Sequence, residues 1–427
     1  EITIGDWSSD VCSSDLGHVK SFLFLIMVIS ALYLVQVFIL LPPPTDRDLE
    51  NQLWWRRKTY STRRKIGLSS QNDTIDLRLS REELYKESLV EKTALRRQFL
   101  ERALKEQEQM RLNPGKDTKY IVFNPLPSGF GNNLAVMAET LFIAFLTNRR
   151  FLLYRWKSFP VYYNLPLNDY FLSDESSIHG GSVIANRECE TTLEDVLSSS
   201  DQYLIIRSTC KLLDLLCADE KYWPMLDRDG FVLHPHLKSP MDIRKTVYSF
   251  MYNTVITLKP EIHERIDEKK AKLHWDDYYW IGLQIRTGKL GVSDAAGHFL
   301  DNRDYDLFTR IALERTYAIA NKTAKPVKWY VACDNKLMIA KLKATYPQYF
   351  MSSSCTVSHS SNEMNRASLS FPMMCTLYDS YLLSSVDEAI ITAKSTFGIL
   401  SVNRKPKMKR VLIMKGDWKK YKKCVVS

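Results

Sequence analysis

YIVFNPLPSGFGNNLAVMAETLFIAFLTNRRFLLY, Tyr120 to Tyr154, is the stretch that decides the fold of this 427-residue chain. Tyr120-Ile121-Val122-Phe123 is a short, continuously apolar run of the kind that forms a buried strand, and a turn rich in Pro and Gly follows from Pro125 to Gly131. Asn132 to Asn148 then reads as an apolar helix, and Phe151-Leu152-Leu153-Tyr154 as the next strand. Strand, glycine turn, helix, strand is how a parallel α/β layer begins, because parallel neighbours need a crossover and a helix supplies one.

The same rhythm resumes further on. Tyr278 to Arg286 reads as a strand, Tyr305 to Ala320 as a helix, Val327 to Cys333 as a strand and Asn335 to Tyr346 as a helix. A helix from Met373 to Ser385, a strand Glu388 to Thr392, a helix starting near Ser395 and a strand Val411 to Met414 continue it. Two Rossmann-like halves are expected, 117–262 and 263–427, with the seam between Leu258 and Leu273. Neither half contains an internal repeat or a low-complexity tract.

The segment before these halves has a different texture. Asp6 to Leu16 (DWSSDVCSSDL) reads as a translated sequencing-library adapter, so residues 1–16 are set aside from the biology and the native start is expected to be missing. Residues 17–41 hold Ser21 to Leu41, an uncharged apolar run bounded by Lys20 and Pro42, long enough to cross a bilayer and lacking a small-residue cleavage site. An uncleaved anchor is expected. Lys20 precedes it, whereas Arg47, Arg56, Arg57 and Lys58 follow it, a count that taken alone opposes a luminal body. The sequons Asn72-Asp73-Thr74 and Asn321-Lys322-Thr323 are compatible with one, although such triplets also arise by chance. Residues 42–116 read as a polar, partly helical stem: Ser80-Arg81-Glu82-Glu83 has the form of a capping box, and Leu84 to Met110 the mixed charge of a solvent-exposed helix. Such a helix acts as a spacer or as a surface for self-association.

Charge narrows the partners only slightly. Lys and Arg exceed Asp and Glu by 59 to 49, but the basic residues are dispersed and follow an anchor, which argues against nucleic acid. Of the eight cysteines, Cys12 falls in the excluded stretch and the others form no CxxC pair, so disulfides are favoured over zinc.

In an open parallel sheet, ligands bind beyond the carboxyl ends of the strands. Four loops there carry chemistry. Ser128-Gly129-Phe130-Gly131-Asn132-Asn133 could bring backbone amides to a ligand at a helix start, or be a tight structural turn. Ile281 to Gly288 delivers Arg286, whose planar fork suits a diphosphate and equally a surface ion pair. Asp334, after the strand that ends at Cys333, is expected to cap the next helix. Thr392, Ser395 and Thr396, with the amides of Phe397 and Gly398, could hold phosphate oxygens, or Ser395 could simply cap its helix.

Together these residues resemble a known family. Gly129-Phe130-Gly131-Asn132 through Leu141 to Arg149, the Gln284-Ile285-Arg286 strand, and Tyr381-Leu382-Leu383-Ser384 with Ser395-Thr396-Phe397-Gly398 are similar, in words and in order, to the plant xyloglucan-type α-1,2-fucosyltransferases. The resemblance runs from Lys119 to Met414 and departs at Asn133, where the family more often has Arg, and at Thr287-Gly288-Lys289. It implies a GT-B fold of two Rossmann-like domains, GDP-fucose as donor, no metal ion, and inverting transfer to a glycan hydroxyl. It implies further that Arg286 grips the diphosphate and that Ser395, Thr396, Phe397 and Gly398 belong to the donor site, with Gly129, Gly131 and Asn132 beside them. An α-1,6- or protein O-fucosyltransferase, or an inactive relative, would share the same donor motifs.

His298, Asp294 and Asp301, in the loop after the arginine strand, are the candidates for general base. Asp227-Arg228-Asp229 and Asp304-Tyr305-Asp306 match the D-x-D pattern of metal-dependent transferases and are read as structural. With the anchor, the resemblance implies a single-pass Golgi membrane protein with a luminal body.

Overall fold

The apolar run Tyr120–Phe123 is buried along its whole length because it forms the middle strand of a sheet, β1. The computed structural model describes residues 90–172, 182–184, 193–208, 211–233, 239–288, 302–355, 366–405, 408–414 and 417. Next to β1 lie β2 (Arg150–Tyr154) and β6 (Tyr203–Ile206), and β4 (Phe171–Leu172) and β5 (Ser182–Ile184) complete the order β4-β2-β1-β6-β5, all parallel. β3 (Tyr163–Asn164) pairs antiparallel with β7 (Thr257–Leu258) outside this sheet.

A second parallel sheet follows in the chain. It comprises β8 (Tyr279–Ile285), β9 (Val327–Cys333), β10 (Phe350–Met351), β11 (Glu388–Thr392) and β12 (Lys409–Ile413), in the order β10-β9-β8-β11-β12. In each sheet the first strand lies at the centre, with later strands on both sides of it. β1 and β8 are therefore the switch points, where the loops beyond the carboxyl ends part and leave a crevice.

The helices are α1 (Thr93–Leu112), α2 (Phe130–Leu146), α3 (Leu212–Ala218), α4 (Pro240–Phe250), α5 (Pro260–Lys272), α6 (Asn302–Ala320), α7 (Lys336–Thr345), α8 (Phe371–Ser385) and α9 (Thr396–Asn403), with shorter helical turns between. α2 is buried almost all round, which explains its apolar composition without invoking a membrane. The two halves are not separate cores. Met373, Met374 and Leu377 of α8 and Leu400 of α9, late in the chain, are buried in the same cluster as α2.

One expectation needs correction. The helix read as a solvent-exposed stem is α1, and it is bound to the first sheet's layer. Phe99 is 1% exposed and lies among the rings of Phe142, Phe145, Phe231 and Phe250, with centroids 5.2 to 6.2 Å away. Gln107 donates to the Arg149 carbonyl at 2.6 Å and accepts from the Phe151 amide at 2.9 Å, so it closes the start of β2. Ser21 to Leu41 and residues 42–89 lie outside the described residues. Among the described residues no helix is long and apolar enough to cross a membrane.

The D-x-D triplets serve the fold. Asp227 pairs with Lys92 at 2.7 Å and Asp229 with Arg102 at 2.9 Å, which clamps α1 to the helical turn Trp223–Arg228. Asp304 is buried in α6, and Asp306 lies 3.8 Å from Lys341. Cys355 and Cys375 form a disulfide across a sequence separation of 20, worth roughly 3 kcal/mol by loop-closure entropy, whereas Cys217 and Cys333 are free thiols. Asn321 is exposed in the turn after α6.

Candidate functional site

Both switch-point loops open into one cleft of about 720 Å³, within the size range of small-molecule sites. Its wall at the first sheet is the start of α2. Gly129 takes the N-cap position, so the helix begins at Phe130, two residues earlier than its apolar periodicity indicates. Asn133 is buried, accepts from the Leu126 amide at 3.0 Å and donates to the Leu126 carbonyl at 3.0 Å and to Ser128 Oγ at 2.9 Å. The residue that departs from the family pattern thus pins the turn before the helix. Arg149 is likewise structural: buried, it donates to the carbonyls of Asp201 and Ser199.

The facing wall is the start of α9. Gly131 is a glycine because a Cβ there would sit 3.0 Å from the backbone N and Cα of Phe397. That close approach brings the N-termini of α2 and α9 together, so the first turns of two helices and two positive dipole ends share one cleft. Ser395 caps α9, accepting from the Gly398 amide at 3.4 Å. Thr396 and Phe397 line the cleft, while Gly398 sits behind them, where a Cβ would meet Gln284 Oε1 at 2.4 Å. The Thr392 hydroxyl is spent inside the sheet: it accepts from the Arg286 amide at 2.9 Å and donates to the Gln284 carbonyl at 3.1 Å.

Arg286 leaves the end of β8 and lines the cleft, with its Nη1 3.0 Å from Asp334 Oδ2. Asp334 was expected to cap α7, but Asn335 does that, accepting from the amides of Leu337 and Met338. Asp334 instead accepts from the amides of Thr287 and Gly288 at 2.7 and 2.9 Å. It holds both the arginine head and the backbone that carries it.

Residues that sequence reasoning passed over complete the lining. Asp379 of α8 accepts a hydrogen bond from Tyr330 Oη at 2.7 Å, and burial pushes its carboxyl above the usual range against hydrogen bonds from Ser353 and Tyr330. A carboxylate inside the apolar α8 sequence was the signal available. Lys343 and Lys394 also line the cleft.

Arg286, Gly129, Gly131, Asn132, Ser395, Thr396 and Phe397 therefore meet at one cleft, and Gly398 backs it. Asp294, His298 and Asp301 lie outside the described residues. Among the described residues, no group of three or more His, Cys, Asp or Glu is placed to hold a metal ion.

Fold and cleft together define a two-sheet, Rossmann-type α/β protein in which, among the described residues, the loops at both switch points line one cleft. No protein-family model matches the chain, and no curated protein matches its sequence. A solved structure similar to it is that of Arabidopsis thaliana FUT1, an arginine-to-lysine mutant in complex with GDP: the TM-score is 0.52, with 15% identity over 76% of this chain and 78% of that one. NodZ α-1,6-fucosyltransferase soaked with GDP-fucose matches at a TM-score of 0.41, with 15% identity over 67% of this chain and 92% of that one. At 15% identity the FUT1 match establishes a common fold, and the NodZ match adds no argument to it.

Proposed function

We propose that the chain transfers fucose from GDP-fucose to a glycan hydroxyl, with inversion and in an α-1,2 linkage, as a Golgi enzyme held in the membrane by residues 21–41. The observation that carries the reading is the meeting of two helix N-termini, at Gly131 and Phe397, across from the fork of Arg286. Amides, dipole ends and a planar cation around one crevice are what a diphosphate needs. The FUT1 structure that shares the fold holds GDP.

In this reading Arg286 and the first amides of α9 bind the diphosphate, and neutralise the GDP that departs as the acceptor oxygen attacks the anomeric carbon. The carboxylates on the described lining are engaged, Asp334 by Arg286 and Asp379 by Tyr330, so the base is assigned to the 289–301 loop, with Asp294, His298 and Asp301 as its candidates. No metal is assigned a role.

Calorimetry of the full chain with GDP in excess EDTA, followed by a GDP-fucose transfer screen over glycan and peptide acceptors with NMR of the product, tests this. The expected result is GDP binding and an α-1,2-fucosylated glycan. Failure to bind GDP overturns the reading, and a peptide or α-1,6 product replaces its acceptor half.

A further inference from the structure

Lys394 stands where a lysine is penalised twice. Its φ is 65°, in the left-handed region that side chains other than glycine rarely adopt. It immediately precedes Ser395, the cap of α9, so its ammonium is set beside the positive end of a helix dipole. It lines the same cleft as Arg286. Its side chain is exposed, so burial of apolar surface does not account for its position.

The charge balance of the cleft indicates what offsets these penalties. Arg286 has an anion, Asp334, 3.0 Å away, so the pair presents a directed fork but almost no net charge. Two helix starts contribute about half a charge each. A diphosphate carries more negative charge than that arrangement neutralises. Lys343, which comes from α7, and Lys394, which stands at the start of α9, are the full cations of the described lining left beyond the Arg286 pair.

The wall beside α9 also contains an unsatisfied polar group. Gln284 is 3% exposed and lines the cleft, and among the described residues its Oε1 has no hydrogen-bond partner. Buried acceptors are normally paired, and this one lies against the Gly398 backbone, behind the residues that face the cleft.

We propose that Lys394 contacts the diphosphate of the nucleotide donor and neutralises the charge that develops on the departing nucleoside diphosphate, an assignment that rests on the donor reading above. The bond between sugar C1 and the β-phosphate oxygen breaks with its electron pair on that oxygen, while the acceptor oxygen bonds to C1 and releases its proton. Lys394 donates a hydrogen bond to the phosphate oxygen and transfers no proton. The left-handed backbone holds Lys394 in the cleft lining, and the strain is retained because the ligand uses it.

The test compares wild-type full-length chain with Lys394→Gly and Lys394→Asn, both of which accept the left-handed conformation. GDP binding by calorimetry is expected to weaken about tenfold in each variant, the worth of one partly exposed charge pair, with guanosine binding unchanged. The ligand-free melting temperature of Lys394→Gly is expected to rise, because strain and repulsion are relieved together. Loss of kcat exceeding the loss of GDP affinity would mark the contact as strongest on the leaving group. Wild-type GDP affinity in both variants, with the wild type binding GDP, overturns the role of Lys394 and leaves the donor reading standing. A wild-type chain that does not bind GDP overturns both.

Discussion

Arg286 Nη1 lies 3.0 Å from Asp334 Oδ2, and the same carboxylate accepts the amides of Thr287 and Gly288 at 2.7 and 2.9 Å. One side chain therefore orients the arginine and closes the loop that follows it. In Asp334→Asn, one acceptor oxygen becomes an N–H donor facing an amide. kcat/KM for GDP-fucose is expected to fall about 10²-fold, with the protein still folded by circular dichroism. Arg286→Lys should lose a comparable factor of about 10², because a point charge cannot donate paired hydrogen bonds in a plane. A wild-type rate in either variant removes that residue from the site.

The crossing of α2 and α9 depends on Gly131. Alanine there places a Cβ 3.0 Å from backbone atoms of Phe397, which cannot rotate away. Thermal denaturation of Gly131→Ala should show a loss of about 1 to 3 kcal/mol, the usual cost of overpacking, with weakened GDP binding as the two helix starts separate.

Glu139 gives the fold a pH dependence. It is buried in α2, accepts from Tyr248 Oη and from the Leu213 amide at 3.3 Å, and burial pushes its carboxyl from 4.5 up to about 7, against the pull of the Tyr248 hydrogen bond. The folded state thus prefers the protonated acid. Its contribution is fully present below pH 4.5 and is lost as the pH rises through about 7. Glu139→Gln carries no charge; its amide oxygen keeps an acceptor for the Leu213 N–H, and its NH2 donates to Tyr248 Oη, whose hydroxyl can rotate to accept. Urea denaturation should find it more stable than wild type at pH 8, by on the order of 2 kcal/mol, with the difference vanishing below pH 4.5.

Because α1 belongs to the body, Phe99→Ala should cost about 3 to 5 kcal/mol by cavity formation among the surrounding rings. A chain truncated through Leu112 should expose the α2 face and bind a hydrophobic dye. Retention of the full melting temperature by either variant would return α1 to the role of spacer.

Legibility differed from element to element, for physical reasons. β1, α2, β9 and β11 could be read because their periodicity is local and their composition extreme. α1 could not. Its buried stripe runs Arg96, Phe99, Ala103, Gln107, and two of those four are polar groups that bond to the backbone of distant segments. Pattern reading counts such residues as solvent-facing. Asp334 was misread because two adjacent residues after a strand, Asp334 and Asn335, can both cap a helix, and only the position of the Thr287 and Gly288 amides decides which one does.

By itself the sequence determined the alternation of strands and helices, the delivery of Arg286 to a strand end, and the glycine and serine turns that start α2 and α9. These follow from neighbours within a few residues, where backbone dihedrals and side-chain alternation act. Only the tertiary structure decided that Gly131 touches Phe397, that Asp334 faces Arg286, and that α8 and α9 share a core with α2. Those contacts join segments far apart in the chain. Their geometry is set by how two twisted sheets and the helices between them pack to exclude water, and no local window of sequence carries that information.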